Sequence, residues 1–219
     1  MMSVARDNGY MLSMVNHAKV STALTTIPGQ PGRPRYAATR FLFGDSARVD
    51  GVVYLASAGF DHIWPAFSDV VADMLMRRGA FDINGLIARN KKTEAAGFEE
   101  ICKDIRAKFS LTDGNKYLCP KWLLVLVNKA DLYWSDRSSV ANYYLPGRGS
   151  DFDQHAQQLL NYVGRDLLKY YVLPVAAETE EYKFGSSFGT ITSPSLLNAN
   201  QRDMSLKILV DNLGELCHA

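Results

Sequence analysis

Short unbroken apolar runs alternate along the chain with longer stretches in which apolar residues recur every three or four positions. The clearest run is Trp122-Leu-Leu-Val-Leu-Val127, set between Pro120-Lys121 and the polar Asn128. A run of that length without polar interruption predicts a parallel strand buried on both faces. Val52 to Ala56 predicts a second buried strand and Tyr170 to Val175 a third. Tyr10 to Val15 and Ala18 to Thr26, separated by Asn16-His17, predict a hairpin. Helical spacing appears over 63–78, with Ile63, Phe67, Val70, Val71, Met74 and Leu75 on one side, Pro65 in the first turn and Gly79 at the end. It returns over 93–109, with Phe98, Ile101, Cys102, Ile105 and Phe109 on one face. Asp151 predicts the cap of a helix over 152–169 with Leu159, Leu160, Val163, Leu167 and Leu168 inward. A last helix is predicted over 202–216, with Met204, Ile208, Leu209, Leu213 and Leu216 apolar.

Between these elements, residues 1–9 read as a frayed polar terminus. Residues 34–48, with Tyr36, Phe41, Leu42 and Phe43, read as a helix or an ordered loop. Residues 79–92 read as a linker, and 178–201, rich in Gly, Ser, Thr and Asn, as a long loop. Buried-strand runs alternating with amphipathic helices predict an α/β fold of three layers around a mostly parallel sheet. At 219 residues the chain suits a single domain.

Composition narrows the function classes. Lys plus Arg number 24 against 23 for Asp plus Glu, which gives no electrostatic reason to expect nucleic acid or an anionic membrane as partner. Arg33 with Arg35, Arg77-Arg78 and Lys91-Lys92 are short basic clusters that suit a solvated surface. Cys102, Cys119 and Cys217 are odd in number and widely spaced, and the four histidines are scattered, so neither a disulfide framework nor a metal site is predicted. No segment has the ~18 or more apolar residues of a membrane helix, and residues 1–20 lack a signal-peptide core. A cytoplasmic protein is the expectation.

Candidate chemistry lies directly after the strongest strand, in Asn128-Lys129-Ala130-Asp131. The carboxyl edge of a parallel sheet is where open α/β folds bind ligands. A carboxylate at Asp131 can accept two parallel hydrogen bonds from the N1 and N2 donors of guanine, a pair that adenine does not offer. Asn128 can bond the acceptor edge of the base or brace neighbouring loops, and the Lys129 stem can lie along the ring face. The alternative is a solvated turn with Asp131 as a helix cap.

This tetrapeptide resembles the N-K-x-D element of the P-loop GTPases, a pattern that chance would place in a chain of this length with a probability on the order of 3%. The resemblance extends over roughly residues 10–216, with N-K-x-D its one specific motif. It implies a P-loop GTPase-type sheet in which 52–56 is the fourth strand and Ala176-Ala177 stand where the family has S-A-K, a backbone N–H there reaching the guanine oxygen. In the loop Thr26 to Gly32, Gly29 aligns with the glycine of D-x-x-G. Gln30 then falls where the family orients the attacking water, as a candidate catalytic residue. Thr26 falls where the family has an aspartate, and a neutral hydroxyl is a poorer partner for Mg²⁺. The same loop also reads as an ordinary Gly/Pro turn.

What the family requires and this sequence lacks is G-x-x-x-x-G-K-S/T, whose amides and lysine cradle the phosphates. On this alignment the first strand, phosphate loop, first helix and first switch are missing. The first strand lies between the third and fourth in the family, so its loss would expose two buried edges. Direct pairing of the third and fourth strands, the N-terminal segment, or a partner polypeptide would have to repair the gap. The expected function is therefore guanine-nucleotide binding, with GTP or GDP read by Asn128, Lys129, Asp131, Ala176 and Ala177, and with hydrolysis uncertain. Two alternatives stand beside it: a pseudo-GTPase interaction module, and the C-terminal piece of a split or longer GTPase with Met1-Met2 as an internal start. No G-x-S-x-G elbow or Cys-His signature points to another enzyme.

Overall fold

The computed structural model describes residues 11–15, 21–25, 33–44, 47–60, 83–113, 115, 117–179, 181–186 and 189–218. The predicted helix over 63–78, the frayed terminus over 1–9 and the loop Thr26 to Gly32 with Gln30 lie outside the described residues.

At the centre is β4 (Trp122–Val127), with all six residues buried. It pairs in parallel with β3 (Gly51–Ala56) on one side and β5 (Lys169–Pro174) on the other, giving an all-parallel sheet ordered β3-β4-β5. Alternation along β4 divides the interior in two. Leu123, Val125 and Val127 face the main core, shared with α2 (Ile83–Leu111) and α5 (Asp151–Val163). Trp122, Leu124 and Leu126 face a smaller core closed by Leu209, Leu213 and Leu216 of α6 (Ala199–His218). Helices, sheet and helix thus form three layers. Between α2 and α5 the rings of Phe98 and Phe152 stack with centroids 4.0 Å apart.

The N-terminal hairpin is present as antiparallel β1 (Met11–Val15) and β2 (Ser21–Thr25). Helix α1 (Arg33–Leu42) follows, so the 34–48 segment starts as helix. Lys108 of α2 is wholly buried and donates from Nζ to the Gly44 and Ala47 carbonyls beyond α1, tying that segment to the main core. Among the described residues β2 pairs with β1 and β3 with β4, so direct pairing of β2 with β3, one of the three repairs of the gap set out above, is not seen there.

Several expectations need correction. Strand β3 is not buried on both faces: Leu55 is 62% exposed, because β3 ends the described sheet and α6 covers the second face mainly over β4 and β5. The helix expected from Thr93 starts at Ile83, so the described part of the 79–92 linker is helical. Its extra turns include Asn90, which donates to the Gly59 carbonyl, and Ile87, which packs against the main core. The segment after Asp131 is also helical, as α3 (Ala130–Tyr133), a short 3-10 turn (Trp134–Asp136) and α4 (Arg137–Tyr144). In the 178–201 loop, β6 (Tyr182–Ser186) and β7 (Gly189–Ser193) form an antiparallel hairpin. Met204 and Ile208 of α6 point to solvent.

Ser150, not Asp151, caps α5, and Gly164, at φ 98°, ends it well short of residue 169. Ser150 Oγ accepts from the Asp153 N–H at 3.0 Å, and the Asp153 carboxylate accepts in return from the N–H of Ser150. The Gly147 and Arg148 N–H groups also donate to Asp153, at 2.8 and 2.6 Å, as do Gly149 and the Gln157 amide. The Pro146-to-Ser150 loop therefore wraps an internal anion. Burial pushes the Asp153 pKa up, but the Gly147, Gly149 and Arg148 amides and Gln157 outweigh that and hold it below the usual carboxylate value. A lowered folded pKa means that the stabilisation is full above the unfolded value and is lost as pH falls through the folded one. Asp153→Asn places donors against donors and should cost about 2 kcal/mol at pH 7. In urea denaturation the gap from the unmodified chain should close as pH falls below about 4; a gap that persists at low pH would show that the ionised carboxylate is not what holds the loop.

Candidate functional site

The carboxyl edge of the sheet is built by three adjoining loops. As β4 ends, the Asn128 N–H donates to the Ala56 carbonyl at the end of β3, at 2.8 Å. The Val175 N–H donates to the Val127 carbonyl, and the Ala130 N–H to the Val175 carbonyl, each at 2.9 Å. The last rungs of the ladders thus pass into loop-to-loop bonds. They place Asn128 to Asp131 beside Ser57 to Phe60 on one flank and Val175 to Ala177 on the other. The residues singled out around the N-K-x-D element, Asn128, Lys129, Asp131, Ala176 and Ala177, are gathered at one edge. Gln30 falls outside the described residues and so is not placed against them.

Their exposures differ. Asn128 and Lys129 are partly exposed, Ala176 is buried and Ala177 is exposed. Lys129 turns the chain from strand into α3 in the left-handed region, at φ 59° and ψ 33°. Ala58, in the neighbouring loop, is also left-handed, at φ 52°. Non-glycine residues in that region cost about 1 kcal/mol or more and persist where surrounding bonds over-determine them. Asp131 is only 4% exposed, and its carbonyl accepts the Leu196 N–H at 2.6 Å. The Asp131 side chain is therefore buried, and its main chain is tied to the segment that leads into α6.

Glu94 is the residue that sequence reading missed. It is 9% exposed, and Oε1 accepts the Ser57 and Gly59 N–H groups at 3.0 and 2.9 Å while Oε2 accepts the Tyr144 hydroxyl at 2.7 Å. Asn90, one turn earlier, donates to the Gly59 carbonyl at 2.8 Å, and the Tyr54 hydroxyl donates to the Glu94 carbonyl at 2.8 Å. Gly59 is required here: its φ is +82°, and a Cβ would lie 2.5 Å from the Ile87 carbonyl oxygen. The overlooked signal is the spacing, since Glu94 stands four residues before Phe98 and so falls on the inward stripe of α2.

Phenols complete the site. Tyr133 donates to the Val127 carbonyl at 2.6 Å and Tyr170 to the Tyr144 carbonyl at 2.8 Å. Burial, then the charge of Glu94, raises the pKa of Tyr133 and Tyr144, so both serve as neutral donors. Burial also pushes Tyr143 up to about 12, assisted by Asp151 and Glu94. Burial raises the Cys102 thiol to about 12, which makes it inert as a nucleophile at neutral pH.

The three loops bring Asn128 to Asp131 beside the backbone of Ala176-Ala177. They do not suit a phosphate: the Ser57 and Gly59 N–H groups, the pair of amides in this edge that converge on one anion, are already taken by Glu94. Among the described residues no helix is long and apolar enough to cross a membrane. Comparison of the chain with family models, with curated proteins and with solved structures finds no match.

Glu94→Ala should cost about 3 kcal/mol by leaving two buried amides and a buried hydroxyl without their acceptor. Glu94→Gln retains one acceptor oxygen and should cost about 1 kcal/mol. In guanidinium denaturation, a Glu94→Gln chain as stable as the unmodified one beside a destabilised Glu94→Ala chain would mean that Glu94 acts by filling space alone.

Proposed function

We propose that this chain is a guanine-recognising α/β domain of the P-loop GTPase lineage, with a base-reading edge and no phosphate loop of its own. Asp131 accepts from the guanine N1 and N2 donors, Asn128 and the Lys129 stem frame the base, and a backbone N–H at Ala176-Ala177 meets its oxygen. The observation that carries the reading is that N-K-x-D closes the buried central strand and is bonded, through Ala130 to Val175, to the loop holding Ala176-Ala177. An antiparallel hairpin followed by three parallel strands in sequential spatial order agrees with the later part of a GTPase sheet. GTP or GDP is the nucleotide proposed, and its phosphates would have to be held by groups outside this edge. Mg²⁺ and hydrolysis are not assigned to this chain, and Gln30 is carried only as the residue that would orient water if a phosphate site were supplied by a partner polypeptide or an upstream segment.

A second reading, a pseudo-GTPase that serves as a protein-interaction module, is favoured by one observation: Glu94 fills the amide pair at Ser57 and Gly59 with an internal anion. Ligand linkage separates the two, since a nucleotide that binds only the folded state raises the melting temperature. The guanine reading expects GDP to stabilise the chain where ADP does not. Asp131→Asn should shift preference from GDP towards the xanthine nucleotide by about tenfold or more, because the new amide donates where the carboxylate accepted. Equal binding of GDP and ADP, or no binding of either at high protein concentration, removes the guanine assignment and leaves the interaction module.

A further inference from the structure

The two outer edges of the described parallel sheet are built differently. On the β5 side the Lys169 and Val175 N–H groups bond the carbonyls of Lys121 and Val127, so Tyr170, Val172 and Pro174 turn their main chain outward. Pro174 has no N–H to offer and Lys169 stands exposed at the start, and proline and lysine are what blunt an edge against further pairing. On the β3 side the carbonyls of Asp50 and Ala56 accept from Lys121 and Asn128, so Val52, Tyr54 and Ala56 turn their main chain to β4. Gly51, Val53 and Leu55 therefore turn theirs outward. Among the described residues none of these three has a main-chain partner on that side, and β3 carries neither charge nor proline.

The side chains of the same three residues lie on the α6 side of the sheet. Val53 packs on the smaller core, Leu55 is 62% exposed, and Gly51 leaves a gap over which the Trp122 indole lies. That profile is complementary to itself. If a second β3 runs antiparallel beside the first, about a two-fold axis at Val53, then Val53 faces its own copy and Gly51 faces Leu55 of the second copy at both ends. All three are hydrogen-bonded pairs, in which opposed residues exchange both N–H to carbonyl bonds, so every outward group is satisfied. A leucine opposite a glycine meets the indole that overhangs the glycine, which buries both exposed leucines. Asp50 falls opposite Ala56 and Arg48 opposite Ala58, so no like charges meet across the pair.

We propose that the outer edge of β3 is an interface between two copies of this chain, joined antiparallel about Val53 into one continuous sheet. A second copy fits this edge better than an unrelated extended strand, because the gap at Gly51 and the projection at Leu55 are matched by the same strand reversed. A pair of six-residue strands buries less than the roughly 800 Å² per partner of a stable complex, so the dimer is weak and depends on concentration. The inference does not rest on the guanine reading.

Sedimentation of the full chain over about 0.01 to 1 mM should show a monomer-dimer equilibrium. Leu55→Glu, a change at an exposed side chain, sets an unpaired carboxylate against the indole of the other copy and should weaken the dimer about tenfold or more. Val53→Pro removes the central donor but no bond from β3 to β4, and should act in the same direction. Circular dichroism checks the fold, and the Leu55→Glu chain carries the test if the proline variant does not fold. The register is read by disulfide cross-linking in a Cys217→Ser background, where Cys102 and Cys119 are buried. Opposed residues of a hydrogen-bonded pair lie about 5.5 Å apart between Cα atoms, within reach of a disulfide. Val53→Cys should therefore cross-link copy to copy about tenfold faster than Leu55→Cys, whose two thiols would lie roughly 13 Å apart along the strands. A chain that stays monomeric at every concentration overturns the interface, as does a dimer of unchanged strength in the folded Leu55→Glu chain. Slow amide exchange at Val53 and Leu55 in such a monomer would mean that another segment of the same chain holds the edge. Cross-linking at 55 as fast as at 53 overturns the pairing about Val53.

Discussion

The fold depends on one strand that has no face or edge left for water. Every residue of β4 is buried, so each of its backbone polar groups needs a partner from a neighbouring strand, and each of its side chains a partner from a helix layer. Strands β3 and β5 meet the first requirement in a register that runs the full length of all three. Helices α2 and α5 meet the second on one side and α6 on the other. Where the strand ends, the ladder does not fray: its final donors and acceptors pass to Asn128, Ala130 and Val175. The candidate site therefore inherits its geometry from the most buried element in the chain.

Anions are the second organising theme. Glu94 and Asp153 each sit among backbone N–H groups of a tight loop, in the manner of a bound oxyanion but tethered to a helix. Such an anion needs no diffusing ligand to order its loop. A loop stabilised in this way is preformed and rigid, and it is also unavailable to a phosphate. At the carboxyl edge of the sheet the convergent amides of Ser57 and Gly59 thus serve the fold.

What was legible in the sequence follows from the physics of each signal. Strand β4 was readable because burial on both faces leaves an unbroken apolar run, and the place of Asn128 to Asp131 at the carboxyl edge because they follow that run directly. The core faces of α2 and α5 were readable at Phe98, Ile101, Ile105, Leu159 and Leu160, where the interior is apolar. Glu94 and Asn90 were not, because a polar residue that faces inward looks like one that faces out until its partners are known. The β6-β7 hairpin was hidden by its Gly, Ser and Thr content, which reads as loop. Lys108 was hidden for the opposite reason: a lysine is expected at the surface, and the carbonyls of Gly44 and Ala47 help make its burial tolerable.

The start of the sheet holds one further constraint. Gly51, the first residue of β3, lies directly under the indole of Trp122, and a Cβ added there would sit 2.0 Å from the ring. The pair pins the alignment of β3 on β4, since a slip of one residue would drive Asp50 or Val52 into the indole. Positions 51 and 122 can therefore drift only in concert: any side chain at 51 demands a smaller residue at 122, and in a set of relatives these two columns should vary together.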